Sequence, residues 1–233
     1  MENIQHCCHS RYNISVVGDD PKPDSFPQLL SNIRNVEPLL HYWEILMSRV
    51  DTYLDLLERN SFHYEIHLFP TNSLVSMHNR KMLKLLNSPI ARCLAEYTKR
   101  SELPCSDDDQ LEHEVLLCPS QRVMLTCNLW VEVGLVNDAL GYIQNVVYMS
   151  GTKPPQLPMY TIVLFDKYIG ILFDGNFPSS VPITPIIRGN LKQIPLKMVS
   201  ALTIHKSKGF TLERAKIDIG NIKQQGLTFT ARS

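Results

Sequence analysis

None of the chain's ten glycines is followed by lysine, so no Gly-x-x-x-x-Gly-Lys run occurs. That removes the loop whose amides and lysine cradle nucleotide phosphates. No Asp-Glu pair occurs either, which removes the adjacent carboxylates that hold magnesium and orient water in such enzymes. Long apolar runs are missing too. Spanning a bilayer takes about 20 apolar residues, and Glu132, Asp166 and Asp174 interrupt the best candidates. The opening Met1-Glu2-Asn3 is polar, with no apolar stretch behind it to suggest a cleavable signal. The expectation is a soluble, intracellular protein with no membrane partner. Cysteines are few and irregularly placed, at 7, 8, 93, 105, 118 and 127, which fits no zinc-ligand spacing. His6-Cys7-Cys8-His9 crowds four ligand types together, but adjacent residues rarely reach one tetrahedral ion. No metal is expected, and the thiols should be reduced.

Net charge is also absent: 23 basic residues balance 23 acidic ones. The balance is not even along the chain. Residues 188–233 hold nine basic side chains (Arg188, Lys192, Lys197, Lys206, Lys208, Arg214, Lys216, Lys223, Arg232) against Glu213 and Asp218. A local excess of seven positive charges is the footprint of a polyanion partner. The alternative is a solvated surface whose countercharges come from elsewhere in the fold.

What the chain does have is concentrated at Thr203-Ile204-His205-Lys206-Ser207-Lys208-Gly209. Hydroxyls, an imidazole and two ammonium groups share one short loop, and Gly209 lets the backbone turn sharply. A branched, strand-like run over 215–219 follows. Such a loop presents several donors to phosphate oxygens.

Elsewhere the pattern is that of a mixed fold. Residues 1–25 suggest a poorly ordered tail. Trp43, Leu46, Val50, Leu54 and Leu57 recur at spacings of three and four, predicting a core-facing helix. Residues 64–69 alternate like a strand and stop at Pro70; Thr71-Asn72-Ser73 then offers capping side chains to a helix carrying Leu74, Met77, Met82 and Leu85. A strand running into a capped helix N-terminus can face phosphate, although the joint is common in α/β folds. A short helix is expected over 89–100 and a solvated acidic loop at Ser106-Asp107-Asp108-Asp109. From 121 to about 173 short β-rich runs predict a small barrel or sandwich. The chain then returns to helix over 195–206 and to strand over 215–219. The 44% hydrophobic content suffices for one large or two small domains.

Three ordered blocks resemble a known family. Leu68-Phe69-Pro70-Thr71-Asn72, with Val75, His78-Asn79 and Met82-Leu83, is similar to motif IV of Pif-type, Helitron-related superfamily-one DNA helicases. Gln121-Arg122-Val123-Met124-Leu125-Thr126, Asn128-Leu129-Trp130 and Gly134-Leu135-Val136-Asn137 resemble the start of that family's inserted barrel, continued by Phe165-Asp166-Lys167-Tyr168 and Val181-Pro182-Ile183. Residues 201–209 look like motif V, and Gly226-Leu227-Thr228-Phe229 like the entry to motif VI.

The resemblance implies an α/β fold: a RecA-like second motor lobe (domain 2A) over 26–118 and 181–233, with a small β-barrel (domain 2B) inserted over 119–180. It implies ATP-driven movement on single-stranded DNA, duplex unwinding, and a repair, recombination, replication or mobile-element context in nucleus or mitochondrion. Thr203, His205, Lys206, Ser207 and Lys208 match positions that grip the DNA backbone, as do Thr71 and Asn72; Gly209 is conformational. The alternatives are a packed histidine for His205 and a helix cap for Thr71 and Asn72. Several positions depart from the family. Lys208 replaces glutamine, Ser200 tryptophan, and Ser120 and Asp138 glycines. Arg232 stands two positions early for the arginine finger that contributes about 10³ to 10⁵ in rate, so no catalytic residue is complete. ATP and magnesium belong to the full-length family, whose nucleotide site lies between two lobes. This chain supplies one wall and lacks motifs I to III, so no productive nucleotide binding or hydrolysis is expected of it without a further, N-terminal lobe. Two other readings are a single-stranded nucleic-acid-binding module acting without ATP, and a remnant serving only protein interaction.

Overall fold

The computed structural model describes residues 50, 52–97, 111–171, 180–208, 210, 212 and 214–218, together with the backbone of strand Asn13–Val17. In chain order the elements begin β1 (Asn13–Val17), α1 (Leu56–Ser61), β2 (Ile66–Phe69) and α2 (Asn72–Leu85). Next come β3 (Ala91–Leu94), β4 (Glu96–Tyr97), β5 (Glu114–Leu117), β6 (Arg122–Leu125), β7 (Leu140–Val147), β8 (Tyr160–Phe165) and β9 (Ser180–Ile183). The last are β10 (Ile186–Arg188), β11 (Leu191–Gln193), β12 (Leu196–Met198), β13 (Ala201–Thr203) and β14 (Arg214–Asp218). They fall into two compact units, residues 1–79 with 200–233 and residues 80–199.

The first unit is an α/β arrangement around a sheet of order β1-β14-β2-β13. β2 lies parallel to both β13 and β14, and β1 closes one edge antiparallel to β14. Ile66, Leu68, Leu202, Ala215 and Ile217 are buried here, the dense apolar signature of parallel strands. β2 ends where Pro70 removes a ladder donor, and α2 begins two residues on. The N-terminal tail expectation needs correcting at 13–17, because Asn-Ile-Ser-Val-Val pairs in register with β14, Asn13 opposite Asp218. Three branched residues in five favour a strand once a partner edge is present.

The apolar stripe through Val50, Leu54 and Leu57 is not one helix either. Val50 and Leu54 are buried, but α1 starts only at Leu56, capped by Asp55, which accepts from the Glu58 amide at 2.7 Å. Leu57 is 84% exposed. Helix α1 thus begins only after Leu54, and Trp43 and Leu46 lie outside the described residues. In α2 the buried face is Asn79, Met82 and Leu83, whereas Met77 and Leu85 point to solvent.

The second unit is antiparallel β. A sheet of order β12-β6-β7-β8-β9 accompanies a three-stranded sheet, β10-β11-β4, and the pair β3-β5. One core draws on the five-stranded sheet and the β3-β5 pair, with Cys93, Leu117, Val123, Leu125 and Val163 fully buried. Two expected helices are strands. Residues 89–100 hold β3 and β4, because Cys93 is buried between exposed Arg92 and Leu94, a period of two. Residues 195–206 hold β12, β13 and a turn; Leu196 is buried while Lys197 faces outward. Residues 80–118 and 181–199, assigned above to the motor lobe, group with this unit. Cys93, Cys118 and Cys127 form no disulfide among the described residues. Among the described residues no helix is long and apolar enough to cross a membrane, and no three metal-ligating side chains gather. The acidic loop at 106–109 and the His6–His9 cluster lie outside the described residues.

Candidate nucleic-acid interface

The parallel register decides where the two donor-bearing loops go. Thr203 stands beside Phe69 across the β13-β2 ladder, and the Ile204 amide donates to the Phe69 carbonyl at 2.9 Å. Both strands therefore end at one edge of the first unit's sheet, and residues 70–72 and 204–208 leave from adjacent points. Ligands of parallel α/β sheets bind outside the carboxyl ends of the strands for this reason.

The two loops are built alike. Thr71 Oγ1 accepts from the Leu74 amide at 3.4 Å and the Thr71 carbonyl from the Val75 amide at 3.2 Å, so Thr71 caps α2. Thr203 Oγ1 accepts from the Lys206 amide at 3.2 Å and the Thr203 carbonyl from the Ser207 amide at 3.1 Å. A hydroxyl that accepts in this way keeps its proton to donate. The cap reading for Thr71 thus holds and leaves its hydroxyl proton able to donate. Asn72, His205, Lys206 and Lys208 are exposed. The packed-histidine alternative for His205 does not hold. Ser207 differs from the rest: its hydroxyl donates to the Ile204 carbonyl at 2.8 Å, so it shapes the turn. Gly209 and Arg232 lie outside the described residues.

The C-terminal charge excess is partly balanced from elsewhere in the fold. Lys192 pairs with Glu96 at 3.0 Å, Lys197 with Glu112 at 2.6 Å and Arg214 with Glu65 at 3.6 Å. Arg214 also lies 4.1 Å over the Phe62 ring and hydrogen-bonds Ser61. The turn over 204–208 carries no carboxylate of its own.

Two neighbours carried no role in the sequence reading, although Asn79 lies within the motif IV resemblance. His67, on β2, stacks on His78 of α2 with ring centroids 4.1 Å apart, and its Nε2 is buried without a hydrogen bond among the described residues. Burial, aided by His78 and Lys216, pushes its pKa down to about 3, so the ring is neutral. Asn79 is the other. Its side chain is buried and bonds both backbone groups of Ala201, accepting from the amide at 2.7 Å and donating to the carbonyl at 3.4 Å. A polar residue on the buried face of an amphipathic helix was the available signal.

No protein-family profile matches the chain. Individual proteins do. The ATP-dependent DNA helicase Pif1 of Campylobacter jejuni is 25% identical over 176 residues, which cover 70% of this chain and 38% of that protein. The crystal structure of Pif1 helicase from Candida albicans superposes with a TM-score of 0.64 at 20% identity, covering 89% of this chain and 50% of that one. The chain is similar to Pif1 helicases over part of their length. Pif1 helicase from Bacteroides in complex with ADP-AlF3 and ssDNA gives a TM-score of 0.60 at 18% identity, covering 92% and 46%. The fold is accordingly the α/β, RecA-like helicase fold. The chain spans less than two-fifths of the length of the Campylobacter Pif1 and half or less of these two Pif1 structures.

Proposed function

We propose that this chain is the second-motor-lobe portion of a Pif1-like DNA helicase and grips single-stranded DNA by its backbone. The observation that carries this reading is the register of β2 and β13, which sends two threonine-capped donor loops out at one sheet edge. Thr71 and Thr203 hydroxyls, Asn72, His205, Lys206 and Lys208 offer donors and positive charge without a base-reading pattern, as a sequence-indifferent grip requires. On this reading the α/β unit belongs to domain 2A and the antiparallel unit contains domain 2B. Ser207 and Gly209 shape the motif V turn.

The residues present do not fit ATP with magnesium: the sequence has neither a phosphate loop nor the paired carboxylates. The chain alone should therefore neither hydrolyse ATP nor unwind duplex, and an N-terminal lobe would have to supply the other wall of the nucleotide site.

The test is binding of the full chain to oligo-dT as salt is raised. Single-strand contacts contribute a slope of about 0.7 per phosphate in a log–log plot. Replacing Lys206 and Lys208 by alanine together should flatten the slope by about 1.4. An unchanged slope, or no oligo-dT binding by the unmodified chain at low salt, overturns the reading.

A further inference from the structure

We propose that Asn79 is a positioning residue for the DNA grip, holding the motif V turn in place through the outer edge of β13; this rests on the DNA-binding reading above. Among the described residues β13 ends the sheet order, with a strand partner on one side. On that side the His67 amide donates to the Ser200 carbonyl at 3.1 Å and the Ile204 amide to the Phe69 carbonyl at 2.9 Å. Backbone groups alternate sides along a strand, so the Ala201 amide and carbonyl face away from β2. Buried and unmatched, they would be costly. The Asn79 carboxamide matches both, with its oxygen 2.7 Å from the amide and its nitrogen 3.4 Å from the carbonyl.

This clamp has a defined reach. Asn79 lies two turns along α2 from the Thr71 cap, about 12 Å at 1.5 Å per residue. Ala201 lies two residues before Thr203, where the donor-bearing turn starts. β13 is only three residues long, so its ladder to β2 supplies few bonds. The clamp ties the helix carrying Thr71 and Asn72 to the strand carrying Thr203 and fixes the spacing of the two loops. The amide is suited to this: an ionised aspartate would set a second acceptor against the Ala201 carbonyl, and leucine would leave both groups unmatched.

A mutant cycle on the full chain tests it, using Asn79→Ala, Lys206→Ala and their combination, read by oligo-dT affinity at fixed low salt. Asn79→Ala should weaken binding about tenfold. In that background Lys206→Ala should lose much of the effect it has alone, since a misplaced turn no longer delivers its ammonium group. A purely structural role would instead leave the Lys206 effect undiminished, and equal effects in both backgrounds, or wild-type binding by Asn79→Ala, overturn the proposal. If Asn79→Ala does not fold, Asn79→Asp decides, because it keeps the acceptor for the Ala201 amide. Partial loss of affinity with a reduced Lys206 effect supports the clamp; wild-type affinity with a full Lys206 effect overturns it. Failure of the clamp alone leaves oligo-dT binding and the single Lys206 effect intact. Failure of the DNA-binding reading removes both, and the positioning role with it.

Discussion

The two units solve opposite problems with their polar groups. In the antiparallel unit they are turned on one another. Arg122 meets Asp166 through both guanidinium nitrogens and lies 4.4 Å over the Tyr142 ring, while Lys192 and Lys197 are held by Glu96 and Glu112. Buried Gln193 spends its carboxamide on the Cys93 and Glu112 carbonyls and the Ile194 amide. In the α/β unit the Thr71 and Thr203 hydroxyls act as acceptors, and the side chains of Lys206 and Lys208 are exposed. Exposed surface ion pairs contribute little to stability, but they neutralise charge that would otherwise attract phosphate. The contrast is between Arg122, Lys192 and Lys197, each set against a carboxylate, and a 204–208 turn whose exposed cations have no carboxylate within the turn.

The largest effect expected to distinguish the units is acid sensitivity. His67 titrates at about 3 in the fold against 6.5 as a free side chain. Between those values the unfolded chain binds a proton that the folded chain refuses, so stability falls as pH falls and is fully recovered above the unfolded pKa. From pH 7 to pH 5 the loss from this one group is about 2 kcal/mol. Amide hydrogen exchange of β2 and β13 should accelerate over that window while β6 and β7 stay protected. His67→Phe should abolish the difference. Equal acid sensitivity in both units would break the comparison.

A smaller effect concerns the two threonine caps. Thr71→Val removes the acceptor for the Leu74 amide and should cost about 1 kcal/mol or less, since the 3.4 Å bond is long. Thr203→Val removes the acceptor for the Lys206 amide, in a single turn rather than a helix of 14 residues, and should cost less still. On oligo-dT the order should not follow stability. Both variants lose a donor of the proposed grip, so both should bind more weakly. Binding that tracks denaturant midpoints alone would reduce both residues to caps.

The legible parts of the molecule were those punctuated locally. Pro70, then Thr71-Asn72-Ser73, marks the end of β2 and the start of α2 within four residues, and the alternation of 215–219 marks β14. The donor-rich turn was likewise visible from its composition. What failed was periodicity that only tertiary partners resolve. Ala91, Leu94, Ala95 and Glu96 are helix formers, yet Ala91–Leu94 is strand because it pairs residue by residue with Leu117 to Glu114, and Glu96–Tyr97 because it pairs with β11. Leu196, Val199 and Leu202 fall at spacings of three and suggest a helix, but they belong to separate elements, β12, a connection and β13. Asn79 could not be assigned a role from sequence, because the backbone it clamps is 122 residues away.

The smallest expected effect has the opposite sign and belongs to the antiparallel unit. Ser120 and Asp138 stand where the resembled family has glycine, and both adopt left-handed backbone, with φ of 64° and 67°. A side chain there costs roughly 1 kcal/mol, and glycine returns part of the gain through the greater freedom of its unfolded state. Ser120→Gly should thus raise stability by about 0.5 kcal/mol, read as a shift in denaturant midpoint. Asp138→Gly should gain less, since aspartate tolerates this conformation better than serine. Neither variant should alter oligo-dT binding. These turns are held by backbone bonds, the Ser120 amide to the Ile143 carbonyl at 2.7 Å and the Asp138 amide to the Leu125 carbonyl at 2.8 Å, both of which glycine retains. A change in DNA affinity from either substitution would bring the antiparallel unit into the proposed grip and dissolve the contrast between the two units.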